Sequence, residues 1–158
     1  MDYKIVEKDE FLVVGIPVKV SLNDEGYQKK IMQTWMDIMP RVDEIKNRSS
    51  ELFFGICDTS CGIERDECSF ESIAAVEVSK IEDVPEGMTS KKVPAAKYFV
   101  ATHKGRVEKL GQTWGAIEQE MKTQDLKEDR AKIFFELYDE RFKMDSDESE
   151  IDLYTPLE

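Results

Sequence analysis

A carboxylate stands in the middle of an apolar run, Phe134-Phe135-Glu136-Leu137-Tyr138, and it is the residue of this chain best suited to specific chemistry. In a strand the side chains alternate, so Phe134, Glu136 and Tyr138 share one face while Phe135 and Leu137 share the other. Neither face reads as a plain solvent face. Burying an unpaired ionised group costs several kcal/mol even after relaxation, on the order of 3–5. Three readings follow: Glu136 points to solvent, it is hydrogen-bonded within the sheet, or it is kept for a function. A desolvated carboxylate offers charge complementarity to a cation, or a general base. The other chemically capable residues are sparse. Cys57, Cys61 and Cys68 match no standard zinc spacing, and the single histidine, His103, is far from them in sequence. They read as reduced thiols in a strand and its following loop, and His103 as a strand-end or loop histidine. No Ser/His/Asp grouping, Cys–His pair or metal cluster is legible, and no cofactor or metal is expected.

The composition narrows the function classes. With 34 Asp plus Glu against 22 Lys plus Arg, the 158-residue chain carries a formal charge of −12 and has no basic cluster. Such a surface repels phosphate backbones, which argues against direct nucleic-acid binding. The hydrophobic fraction of 41% is enough for a packed core, so disorder of the bulk is excluded. The N-terminal Met1-Asp2-Tyr3-Lys4-Ile5-Val6 lacks a signal-peptide profile, and no apolar stretch is long enough to span a bilayer. A cytoplasmic placement away from membranes is the expectation.

The elements that must position Glu136 follow from periodicity. Phe11 to Val20 is β-rich, with Gly15 and Pro17 marking an edge or bulged strand. Asn23 to Gly26 is a turn, and from Tyr27 to Ile45 the residues Ile31, Trp35, Ile38, Val42 and Ile45 recur at helical spacing. Met32, Met36 and Met39 form an adjoining stripe and predict a wide apolar face. Pro40 should kink or end that helix. Leu52 to Cys57 and Phe70 to Val78 read as strands joined by a long polar loop, and Pro85-Glu86-Gly87 as a turn. Val93 to Thr102 is a further strand. Leu110, Trp114, Ile117 and Met121 mark a second amphipathic helix. Ile133 to Tyr138 and Ile151 to Thr155 close the chain around the acidic segment Asp145 to Glu150.

The strand-helix-strand-strand order occurs twice, and a shift of about half the chain exposes an internal repeat. Gly26, Lys30, Gln33-Thr34-Trp35 and Ile38 superpose on Gly105, Lys109, Gln112-Thr113-Trp114 and Ile117. Downstream, Phe54-Gly55-Ile56-Cys57-Asp58 aligns with Phe135-Glu136-Leu137-Tyr138-Asp139. Each half alone is too small to bury a core. The expected fold is therefore α+β: tandem strand-helix-strand-strand modules forming one antiparallel sheet, with two helices on the same side and pseudo-twofold symmetry. Residues 1–158 would be one domain, with module one about 1–80 and module two about 88–158. The crevice between the helices, floored by the sheet, is the natural concave site. Glu136 stands where the first module has Gly55.

These features resemble the GyrI-like small-molecule-binding domains, which also serve as effector-binding domains of AraC-type and MerR-type transcription regulators. The resemblance is carried by the repeated order, the Tyr98-Phe99-Val100-Ala101-Thr102-His103-Lys104-Gly105 run before the second helix, and Phe135-Glu136-Leu137-Tyr138. It extends to the closing Tyr154-Thr155-Pro156-Leu157. It implies a ligand cleft at the module interface, lined by aromatics, with a glutamate on the penultimate strand facing cationic aromatic or lipophilic compounds. Glu136 matches that glutamate and Tyr154 a tyrosine position on the last strand. Trp114, Tyr138, Trp35 and Phe54 complete the expected ligand-binding set. Both modules consume these residues, leaving no length within them for a helix-turn-helix or winged helix.

The expected function is thus binding of amphipathic, cationic aromatic small molecules by a sensor, sequestering or effector-binding protein. The alternative is a hydrolase of reactive cyclopropane-bearing compounds, known among members of the resembled family, with Glu136 as the catalytic group. A third reading is a protein inhibitor of the gyrase type, with Asp145 to Glu150 meeting a basic protein partner.

Overall fold

The computed structural model describes residues 1–59 and 69–158. Most of the loop between Asp58 and Ser69, with Cys61 and Cys68, lies outside the described residues. The elements run β1 (Tyr3–Lys8), β2 (Phe11–Ser21), α1 (Tyr27–Ile38), a 3-10 turn (Met39–Glu44), β3 (Arg48–Asp58), β4 (Ser69–Val78) and β5 (Thr89–Val93). There follow β6 (Ala96–Lys104), a 3-10 turn (Val107–Lys109), α2 (Leu110–Thr123), β7 (Ile133–Tyr138) and β8 (Glu150–Pro156). The helix expected through Ile45 ends at Ile38, where Pro40 enters the first positions of the 3-10 turn. No helix among the described residues is long and apolar enough to cross a membrane.

All eight strands join one antiparallel sheet in the order β1-β6-β8-β7-β3-β4-β2-β5. The order reads the same from both ends once the two halves are exchanged. Module one contributes β2, β3 and β4 with α1, and module two contributes β6, β8 and β7 with α2. Each module's leading strand crosses to the other: β1 pairs with β6, and β5 pairs with β2. The pseudo-twofold axis passes between the two central strands at the Gly55–Glu136 pair, because these repeat-equivalent residues sit directly opposite each other.

The helix-free face of the sheet turns inward. Phe11 of β2 meets Phe135 of β7, three strands away, with ring centroids 5.3 Å apart, which requires a strongly curled sheet. Phe11, Phe54, Tyr98 and Phe135 fill this inner core. The outer face carries two separate cores. Ile38 of α1, with Val42 of the following turn and Ile45 just after it, covers Val14, Ala74, Val76 and Val78. Ile117 and Met121 of α2 cover Phe99, Ala101, Ile151 and Leu153. Burying one such side chain contributes roughly 1.5–3 kcal/mol, so each helix is held by its stripe and not by its caps, which make no side-chain hydrogen bonds.

Two expectations need correction. Met32, Met36 and Met39 do not widen the buried face of α1: they are 41%, 62% and 53% exposed. Each follows by one position a residue of the Ile31, Trp35 and Ile38 stripe, which rotates it about 100° away from that stripe. The single strand expected over Val93 to Thr102 is two strands, broken at Pro94-Ala95, the first of which pairs with β2. Pro17 is accommodated because β5 covers β2 only from Phe11 to Gly15, leaving the proline's other edge free.

Candidate functional site

Both helices lie on the same side of the sheet and make no extended contact with each other. Between them β3 and β7 form a half-buried floor. Alternation puts Phe53, Gly55 and Cys57 of β3 and Phe134, Glu136 and Tyr138 of β7 on this side. Trp35 reaches down from α1 and Trp114 from α2. The walls repeat the symmetry closely: Trp35 meets Phe53 at 6.2 Å and 67°, and Trp114 meets Phe134 at 6.3 Å and 65°.

Glu136 is held at the centre. The Tyr138 hydroxyl, two residues along the same face, donates to Glu136 Oε1 at 2.6 Å. The Trp114 side chain also acts on the carboxylate, favouring its charged form. Gly55 directly opposite provides the room: a Cβ at that position would lie 2.8 Å from Glu136 Oε1. Tyr138 is itself wedged between Trp35 and Phe142, each with ring centroids 5.1 Å away.

The electrostatics are those of a recessed acid. Glu136 keeps part of its exposure to solvent, yet protein atoms crowd its carboxylate, the combination expected at the floor of a crevice. Burial pushes its pKa above the ordinary carboxylate value, and the hydrogen bond from Tyr138 and the Trp114 side chain pull it partly back. Burial, then the Glu136 charge, also raises the Tyr138 hydroxyl well above its usual range. Cys57 is raised likewise, first by burial and then by Glu136 and Asp58.

This arrangement has a consequence for stability. The folded chain holds the Glu136 proton more tightly than the unfolded chain, so the stability associated with that proton is complete below the unfolded pKa. It is lost as pH rises to the elevated folded pKa. Glu136→Gln abolishes this titration. The stability difference between variant and wild type should therefore shift in favour of the variant as pH rises through that interval and then level off. Melting temperatures of both proteins from acid to neutral pH check this, and parallel curves would refute it.

Of the residues singled out in the sequence, Glu136, Trp114, Tyr138 and Trp35 come together at this floor. Tyr154 and Phe54 do not. Tyr154 is paired with Phe135 across the strands and stacks on it, with centroids 4.3 Å apart and planes at 15°. Phe54 is 1% exposed in the same inner core. Both therefore face away from Glu136, by strand alternation. His103 is 2% exposed and turned toward α2, its Nδ1 paired with Thr113 Oγ1 at 2.6 Å and its Nε2 with the Arg106 carbonyl at 2.8 Å. Residues that sequence reasoning missed are Phe53, Phe134 and Cys57, although alternation within the aligned strands contained the signal for all three.

A cavity of about 380 Å³ opens elsewhere, lined by Ile5, Lys97, Asp125, Leu126, Lys127, Leu157 and Glu158. It presents no aromatic ring and balances its charges, so it lacks the concentrated chemistry of the Glu136 floor. In the acidic segment, Asp145, Asp147 and Glu148 are exposed, while Ser149 is buried and its carbonyl accepts from the Gly105 N–H at 2.8 Å.

Comparison with known proteins agrees with this architecture. The chain is 35% identical over 159 aligned positions to the transcriptional regulator BrlR of Pseudomonas aeruginosa, matching 99% of this chain and 56% of that protein. It thus spans little more than half the length of that relative. The structure of SAV2435 bound to tetraphenylphosphonium superposes with a TM-score of 0.77 at 18% identity, covering 100% of this chain and 94% of the other. The integron cassette protein VCH_CASS2 from the mobile metagenome of Vibrio cholerae superposes with a TM-score of 0.71 at 15% identity, covering 99% and 95%. At these identities the two structures speak to the fold alone. The resemblance to GyrI-like effector-binding domains is borne out. Because the family model of the integron-associated effector binding protein, Cass2, matches residues 4–157, the chain belongs to that family.

Proposed function

We propose that this chain binds amphipathic, cationic aromatic small molecules in the crevice floored by β3 and β7. The observation that carries the reading is Glu136, a recessed carboxylate ringed by Trp114, Tyr138, Phe134, Phe53 and Trp35. A cation with aromatic substituents satisfies both parts of that site. Its charge pairs with the carboxylate in a desolvated setting, and its rings meet indole and phenyl faces, at about 0.5–2 kcal/mol per contact. Neutral or anionic ligands would leave the carboxylate uncompensated. The fold-level neighbour SAV2435 was captured with tetraphenylphosphonium, a hydrophobic cation of this class. Similarity to BrlR supports a place for such binding in a regulatory protein, with this chain as the ligand-receiving part. The net charge of −12 makes direct contact with nucleic acid by these residues unfavourable.

A thermal-shift series tests the reading. Tetraphenylphosphonium should raise the melting temperature of the wild type, since a ligand at 100 times its dissociation constant adds about 2.7 kcal/mol. The neutral comparison is triphenylphosphine oxide. Glu136→Gln should weaken the cation by about 10- to 100-fold, the equivalent of a charge-assisted contact, and weaken the neutral compound far less. Equal losses for both, or no response of the wild type to any cation, would overturn the proposal.

A further inference from the structure

The walls of the crevice obey the pseudo-twofold symmetry, whereas its floor does not. Each tryptophan stands over a cross-strand pair that includes a phenylalanine: Trp35 over Phe53 and its partner Tyr138, Trp114 over Phe134 and its partner Cys57. The phenylalanines are equivalent in type and in geometry to their tryptophans. Their partners, Tyr138 and Cys57, are also repeat-equivalent, but one is a phenol ring and the other a single sulfur.

On the Trp35 side, the Tyr138 ring occupies the floor, 5.1 Å from the indole. The Arg48 guanidinium lies 5.0 Å over Phe53 on that side as well, adding a positive charge unfavourable to a cation. On the Trp114 side there is no counterpart ring. Cys57 there retains partial exposure and, ending at its sulfur, leaves that half of the floor low, while the space over Gly55 is taken by the Glu136 side chain. The Glu136 carboxylate, bonded by Tyr138 from the other half, borders this lowered half and acts on Cys57.

Resting on the reading of the crevice as a site for aromatic cations, we infer that the ligand seat lies off the symmetry axis, over Cys57 and beside Trp114 and Glu136. Cys57 is then a specificity-determining residue: its short side chain sets how large a ring the seat accepts. Burial keeps the thiol protonated, so it meets the ligand as a small, polarisable apolar group and does not compete with Glu136 for the charge.

Two measurements test the seat. Cys57→Tyr restores the symmetric floor by placing a ring where the repeat already accommodates one, and isothermal titration should find tetraphenylphosphonium weakened by about tenfold or more. Binding at wild-type strength would overturn the seat, while a loss in Glu136→Gln alone would leave the carboxylate reading standing. The second measurement does not depend on that variant folding. In a chain carrying Cys61→Ser and Cys68→Ser, Cys57 should be alkylated by N-ethylmaleimide in the folded state at alkaline pH, and saturating tetraphenylphosphonium should slow the reaction. A thiol that reacts only after denaturation, or at the same rate with and without the cation, overturns the seat.

Discussion

Phe135→Ala is expected to cost about 3–5 kcal/mol of folding stability, the range for truncating a fully buried aromatic. Phe135 is 0% exposed and is the hub of the inner core. It stacks on Tyr154 at 4.3 Å and meets Tyr98 at 5.2 Å, Phe11 at 5.3 Å and Phe54 at 5.8 Å. These rings come from β8, β6, β2 and β3, so one truncation removes the packing partner of strands from both modules. For a chain of this size the melting temperature should fall by about 6–20 °C. Urea unfolding with an unchanged slope checks the energy, and a loss below about 1 kcal/mol would show that the curled sheet closes without this ring. Because Phe135 and Glu136 are neighbours facing opposite ways, the variant should also loosen the floor on which the carboxylate is presented.

The second large effect is expected at Gly15→Ala. A Cβ there would overlap the Ala74 carbonyl oxygen and lie 2.6 Å from the Ala75 Cα, both backbone atoms of the paired strand β4. No side chain can swing aside to relieve that contact, so β2 and β4 must separate. Overpacking usually costs about 1–3 kcal/mol, and a clash with backbone should reach or exceed the upper end. Gly26→Ala is the control: a Cβ there meets nothing within 4 Å, and the change should stay within about 0.5 kcal/mol. Similar unfolding midpoints for the two variants would mean that the sheet yields locally at Gly15.

Much of this arrangement was legible in the sequence because repetition and periodicity constrain each other. Helical spacing identified the Trp35 and Trp114 stripes, and the repeat placed them in equivalent positions over one sheet. Glu136 was legible because a carboxylate interrupted an apolar strand where the other module has Gly55. The failures have physical causes. Thr89 to Val93 carries two lysines and little alternation, since a short edge strand is specified by its partner β2 more than by its own side chains. The methionines of α1 were misread because residue type does not report direction on a helix. Resemblance groups Tyr154 with Glu136, whereas pairing with Phe135 sets it on the opposite face of the sheet. For Phe54 the repeat already held the answer, since it aligns with Phe135 and must share that residue's face.

The exchange of leading strands bears on how the molecule comes apart. Detaching module one would strip β1 from β6, and detaching module two would strip β5 from β2, so neither half can leave without exposing an unpaired edge on the other. Partial unfolding confined to one half is thereby disfavoured, and the two modules should melt in a single transition despite their separate helix-side cores. The floor between β3 and β7, which takes one strand from each module, inherits that cooperativity: any ligand gripping it steadies the entire sheet and not one module alone.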